Sequence, residues 1–165
     1  MDPYDERAFQ DDLAAIGFEH CWGCGAANPH GLHVKSYWSP DSADEAICVW
    51  QPQPYHIAAP GIVSGGIIAT LIDCHSAATA CAAACRAEGR SITSDPPLPH
   101  LTAALQVSYL RPTPSDGPVT LRARVSQASG RRTTVTCSLY SAEGVECACG
   151  EVVAVRVPTT AVPAS

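Results

Sequence analysis

The stretch that most constrains this chain is residues 60–89, PGIVSGGIIATLIDCHSAATACAAACRAEG. A Pro-Gly turn and a Ser-Gly-Gly triplet lead into about six turns of helix pattern rich in small residues. Ile68, Leu71, Ile72, Cys74 and Ala78 follow the three-to-four spacing of a buried helix face. Asp73 stands inside this run with no Lys or Arg within four residues. A buried carboxylate without a partner is expensive, so Asp73 either reaches solvent or does chemistry. His75, two residues on, lies on another face of the helix and is expected to pack or to meet a partner rather than to catalyse.

The rest of the chain must wrap this helix. Residues 3–18 form a short amphipathic helix with Phe9, Leu13 and Ile16 on one side, ended by Gly17. Residues 20–32, HCWGCGAANPHGL, are dense in turn formers. Alternation begins at Leu32, with Leu32, Val34, Ser36 and Trp38 facing one way, and a second strand at 45–51 completes a hairpin. A Pro-rich loop, 52–63, leads to the helix, and another, 88–101, leaves it. Four strand patterns follow, at 102–110, 119–128, 133–140 and 145–157, joined by turns that predict an antiparallel meander. Two strands, one long apolar helix and four more strands make an α+β plan. A sheet wrapped round one helix leaves edges that pair with a second copy.

Composition narrows the function. The formal charge of −6 argues against nucleic acid or an anionic membrane as the main partner. The acidic opening lacks the apolar core of a secretory leader, and the apolar run at 61–87 is broken by Asp73 and His75, so a cytoplasmic protein without a membrane span is expected. Nine Cys, an odd number, read as small buried hydrophobes with free thiols rather than a disulfide frame.

Four segments, taken together and in order, resemble one family. GIVSGGIIATLID is similar to the helix-start motif of hotdog-fold acyl-CoA thioesterases of the phenylacetyl-CoA (PaaI-like) group, in which His-Gly-Gly is followed by six residues and an acid. Gly65 and Gly66 match the glycines, and Asp73 the acid. CWGCGAANPHGLHVKSYW resembles the opening of the subgroup containing thioesterase superfamily member 4. TAALQVSYLRP resembles its central strand, and SGRRTTV its Gly-Arg turn. The match spans residues 20–157, with 1–19 as an N-terminal helical extension and 158–165 as a disordered tail. The chain departs from the motif at Ser64, where most members carry His.

The resemblance implies a hotdog fold and hydrolysis of an acyl-CoA or acyl-carrier-protein thioester by a homodimer or tetramer. It implies that the site lies at a dimer interface, one subunit's Gly65 and Gly66 amides facing the partner's acid. Those amides would hold the oxyanion. Asp73 would be general base or nucleophile. Thr102 occupies the position that hydrogen-bonds the attacking water or the carboxylate. Ser64 either donates a hydrogen bond where the family has His or caps the helix, and His56 is placed to replace the lost imidazole. The coenzyme A phosphates need cations. Arg111, Arg122, Arg124, Arg131 and Arg132 all fall in the later strands and turns. Of these, Arg111, Arg131 and Arg132 are the expected contacts, Arg131 and Arg132 lying in the turn where the family meets the nucleotide.

No metal or redox cofactor is expected, coenzyme A entering only as part of the substrate. Cys21, Cys24, His20, His30 and His33 do form a zinc-like set around a Cys-x-x-Cys, but the family's turn pattern accounts for this segment without metal. Two other functions fit the same plan. One is an acyl-CoA-binding hotdog protein without turnover, which the loss of His at Ser64 favours. The other is a hotdog dehydratase using His75 or His56.

Overall fold

The computed structural model describes residues 7–162. Its centre is α2, Gly65–Ala87, on which Leu71, Ile72, Ala80 and Cys81 are wholly buried. Before it come α1 (Phe9–Leu13), β1 (Tyr37–Ser39), β2 (Ser42–Trp50) and a small hairpin, β3 (Ile57–Ala59) with β4 (Ile62–Val63). After it come β5 (His100–Tyr109), β6 (Val119–Ser129), β7 (Arg132–Tyr140) and β8 (Glu146–Arg156). Six strands form one sheet in the order β1-β2-β6-β7-β8-β5, every neighbouring pair antiparallel. The expected α+β architecture, a six-stranded antiparallel sheet round one long helix, is the one observed.

The core lies between α2 and the concave face of the sheet, where Leu121, Val135, Leu139 and Val152 meet Leu71 and Ile72. Gly150 of β8 lets the helix approach, since a Cβ there would lie 2.8 Å from the Ile72 side chain. By length and composition α2 could also cross a membrane, yet over half of it is buried by its own chain. It is the sheet's core helix, and no membrane span is indicated.

Several expectations are corrected. The four later strands are not one meander. β6, β7 and β8 are, but β5 crosses over to pair with β8 and becomes an edge, while β6 pairs with β2. Strand β1 is shorter than its alternation predicted: residues 32–36 bury Leu32, Val34 and Ser36 as expected but hold no ladder, and His33 has a φ of 52°. The Pro-rich loop before α2 contains the β3–β4 hairpin. The N-terminal helix is regular only over Phe9–Leu13 and ends in a wider turn, Ala14–Phe18, where Gly17 has a φ of 105°. Phe9 and Leu13 pack inward as predicted, and residues 3–6 of that expected helix lie outside the described residues. In the C-terminal tail, Thr159–Ala161 form a 3₁₀ turn.

Candidate active site

Asp73 stands on the α2 face that looks towards the edge strand. Its Oδ1 accepts a 2.6 Å hydrogen bond from the Thr102 hydroxyl of β5. The register of β5 explains how Thr102 gets there. Tyr109 reaches α2, its hydroxyl donating to the Gly65 carbonyl at 2.6 Å, and Val107 packs on the core. Strict alternation from these odd positions would turn Thr102 away from the helix. A bulge between Thr102 and Ala104 shifts the pairing with β8 and turns Thr102 inward.

Asp73 is half-buried, and that burial raises its pKa above the ordinary carboxylate range. The Thr102 bond works against this by favouring the ionised form, and the Cys21 sulfur adds to the rise. Asp73 and Thr102 line a cavity of about 160 Å³ together with Phe18, Cys21, Cys74 and Leu101. A larger groove, about 650 Å³, lies near the far end of α2 beside Trp38, Arg86 and Arg124, and brings together none of the expected catalytic groups.

At the other end of the edge strand is the start of α2. Ser64 occupies the N-cap position, but its hydroxyl makes no capping bond, which corrects the reading of Ser64 as a side-chain cap. The first helical bond runs from the Ile68 N–H to the Ser64 carbonyl at 3.1 Å. The amides of Gly65, Gly66 and Ile67 therefore precede any intrahelical acceptor. Space around Gly66 is open, the nearest atom to a Cβ there being the Ser64 Oγ at 3.9 Å. His56 is joined to this end by its carbonyl, which accepts from the Ser64 N–H at 2.9 Å. Its Nδ1 accepts from the Gln53 N–H at 3.0 Å and its ring packs against Trp50, while burial lowers its pKa.

The expected site residues thus fall into two groups. Ser64, Gly65, Gly66 and His56 lie at the Tyr109 end of β5. Arg111 joins them just past that strand, donating to the Glu146 carbonyl at 2.6 Å. Asp73 and Thr102 lie at the other end, and the strand register puts Arg132 opposite Val155, which in turn faces Leu101, so Arg131 and Arg132 belong with them. Gly65 and Asp73 are about 12 Å apart along the helix axis. Both arginines are exposed in the β6–β7 turn. Arg122 and Arg124 are otherwise engaged, bonding the two oxygens of the buried Glu45 at 2.5 and 3.1 Å. His75 is packed, as expected: Gln10 donates to the Ser36 Oγ, Ser36 to the His75 Nδ1, and His75 Nε2 to the Ala46 carbonyl. Burial pushes its pKa down to about 4, against the Ala46 bond.

Residues 60–148 match the family model described as the thioesterase superfamily. The chain belongs to that superfamily. Among curated proteins it is similar to an acyl-coenzyme A thioesterase, THEM4, of Xenopus laevis, at 28% identity over 133 residues. That match covers 79% of this chain and 46% of the relative, so the chain spans about half the relative's length. A thioesterase superfamily protein of known structure from Shewanella loihica is 36% identical, with a TM-score of 0.62, over 81% of this chain and 98% of that one. PaaI of Escherichia coli, from the phenylacetic acid degradation operon, shares the fold with a TM-score of 0.57 at 15% identity, over 70% of this chain and 74% of that one. The thioesterase resemblance in the helix start, the central strand and the Gly-Arg turn is therefore a family relationship, and the sheet-wrapped helix is its hotdog fold.

Two features of this superfamily member were not anticipated. Tyr109 holds the start of α2 against β5 through the Gly65 carbonyl. Cys74, expected only as a buried hydrophobe, meets Cys21 and Cys24 beside Asp73, the three sulfurs lying within 4.8 Å of one another. The neighbouring Cys24 thiol, and then that of Cys74, push the Cys21 thiol below its ordinary range, while Cys21 pushes both Cys24 and Cys74 up.

Proposed function

We propose that this protein hydrolyses acyl-CoA thioesters as a homodimer, with each site built from the helix start of one subunit and Asp73 of its partner. The observation that carries the reading is the Thr102–Asp73 bond at the wall of a cavity. Thr102 engages Oδ1, which orients the carboxylate and leaves Oδ2 for the reacting water. A water proton passes to Asp73 as the water oxygen attacks the thioester carbonyl. Alternatively Asp73 itself attacks, and water opens the resulting anhydride. In either case the carbonyl oxygen gains negative charge, which the Gly65 and Gly66 amides are placed to meet with hydrogen bonds and the favourable helix dipole. The carbon–sulfur bond then breaks, and the coenzyme A thiolate leaves and takes up a proton.

One distance and one symmetry relation favour the dimer. Eight residues of helix, about 12 Å, are too long for Gly65 and Asp73 of one chain to serve one carbonyl. An antiparallel meeting of two edge strands sets the glycine end of one copy beside the acid end of the other. Arg111, Arg131 and Arg132 supply the cations that the nucleotide phosphates require. The substrate is a coenzyme A thioester or one on an acyl carrier protein, both of which present the same thioester.

The test is release of free thiol from a panel of acyl-CoA substrates by wild type and by Asp73→Asn. Turnover by wild type, reduced at least about a hundredfold in the variant with its fold intact, is expected. Equal rates would remove Asp73 from the chemistry. Tight acyl-CoA binding with no turnover by either form would make the protein a binding module instead.

A further inference from the structure

Cys21 and Cys24 lie in the turn after the N-terminal helix, and Cys74 lies on α2, far away in sequence. Their sulfurs nevertheless meet, with Cys21 and Cys74 3.9 Å apart. Ligand sulfurs about 2.3 Å from a tetrahedral zinc ion sit about 3.8 Å from one another. The turn is shaped for this meeting. A Cβ at Gly23 would overlap the Cys74 sulfur, and one at Gly25 would overlap the backbone of Cys21 and Glu19, so neither position accepts a side chain without moving the loop. The Gly25 N–H closes the turn on the Cys21 carbonyl at 2.8 Å. A Cys-x-x-Cys-Gly turn folded in this way offers its two sulfurs in one direction, and α2 supplies the third.

We propose that Cys21, Cys24 and Cys74 bind one zinc ion through three thiolates, leaving its fourth position to the cavity lined by Asp73. Soft sulfur ligands select zinc over the oxygen-seeking cations. Among the described residues the cluster contains these three and none of the histidines of the zinc-like pattern. His33 instead bonds the Asn28 carbonyl at 2.7 Å through Nε2. The pair read as zinc-like thus finds its next ligand in the core helix, which no spacing in the turn segment could have indicated. This inference goes beyond thioester hydrolysis, and its readout does not depend on turnover.

The experiment uses the full chain, purified under reducing conditions without chelator, and loaded with zinc or cobalt(II) alone. About one metal per chain is expected, with thiolate-to-cobalt charge-transfer absorption. Zinc should also protect the half-exposed Cys21 from alkylation in a peptide map, and a strong chelator should remove that protection. Cys74→Ser should lower the bound metal at least about tenfold, while Cys85→Ser, outside the cluster, should leave it unchanged. Cys21→Ser carries the same test if Cys74→Ser fails to fold by circular dichroism. Folded wild type that binds no zinc or cobalt on reconstitution would overturn the proposal. So would a disulfide between any two of the three cysteines in the reduced preparation.

Discussion

His75 and His100 are both buried, and their partners fix which nitrogen carries the proton. His75 is tied at both nitrogens and closes a chain of bonds from Gln10 through Ser36 to the Ala46 carbonyl, leaving no donor or acceptor on the ring unused. His100 is different. Its Nδ1 donates to the Leu98 carbonyl at 2.8 Å, and Arg156 faces it across the β5–β8 ladder. Burial lowers its pKa first, Arg156 adds to the lowering, and the Leu98 bond opposes both. A folded-state value below the unfolded one gives stability that is complete above the unfolded pKa of about 6.5 and is lost as pH falls towards the folded value. His100→Asn keeps a donor for Leu98 and removes the titration. Urea unfolding at about pH 7.5 and about pH 5.5 should show wild type losing more stability on acidification than the variant. Parallel losses would mean that His100 titrates alike in both states.

At the scale of elements, α2 and most strands were legible because their periods of 3.6 and 2 are local properties of the chain. Strand position was not local. Nothing in residues 102–110 marks them as an edge, because that depends on which partner β8 accepts after the chain has crossed the sheet. The bulge that turns Thr102 towards Asp73 was hidden for the same reason, and Thr102 was found only through family resemblance. The meeting of Cys74 with Cys21 was hidden because it joins a helix to a turn through a glycine gap. The start of α2 was the most legible part of the site, since Gly-Gly after a turn serves a helix badly unless bareness has a use. Gly66 allows that use to be measured. Within one chain a Cβ there meets nothing closer than 3.9 Å, so Gly66→Ala has room, and alanine favours helix by up to about 1 kcal/mol. The variant should melt no lower than wild type yet lose at least about tenfold in turnover, as a methyl group intrudes on the oxyanion's approach. Unchanged turnover would place the substrate elsewhere.

At the scale of the whole molecule, the β5 flank is left uncovered by a single chain. Along β5 and just beyond it, Leu101, Leu105, Tyr109 and Leu110 are each at least 40% exposed, on a strand whose outer hydrogen-bonding edge pairs with no other strand among the described residues. Leu105 lies near the middle of that strand, where a two-fold axis would bring it close to its own copy. Leu105→Lys would set two like charges there and should convert a dimer to a folded monomer, seen by sedimentation velocity, with turnover lost. That result alone would not separate a shared site from a site that merely needs a stable subunit. Mixing two impaired variants does. Asp73→Asn keeps a sound helix start, and Gly66→Ala keeps a sound acid. If each site takes one part from each chain, a mixed dimer contains one site with both parts intact and one with neither. Random reassociation of equal amounts makes half the dimers mixed, so about a quarter of wild-type activity should return. If each chain carries its whole site, both chains of every mixed dimer remain defective and mixing restores nothing.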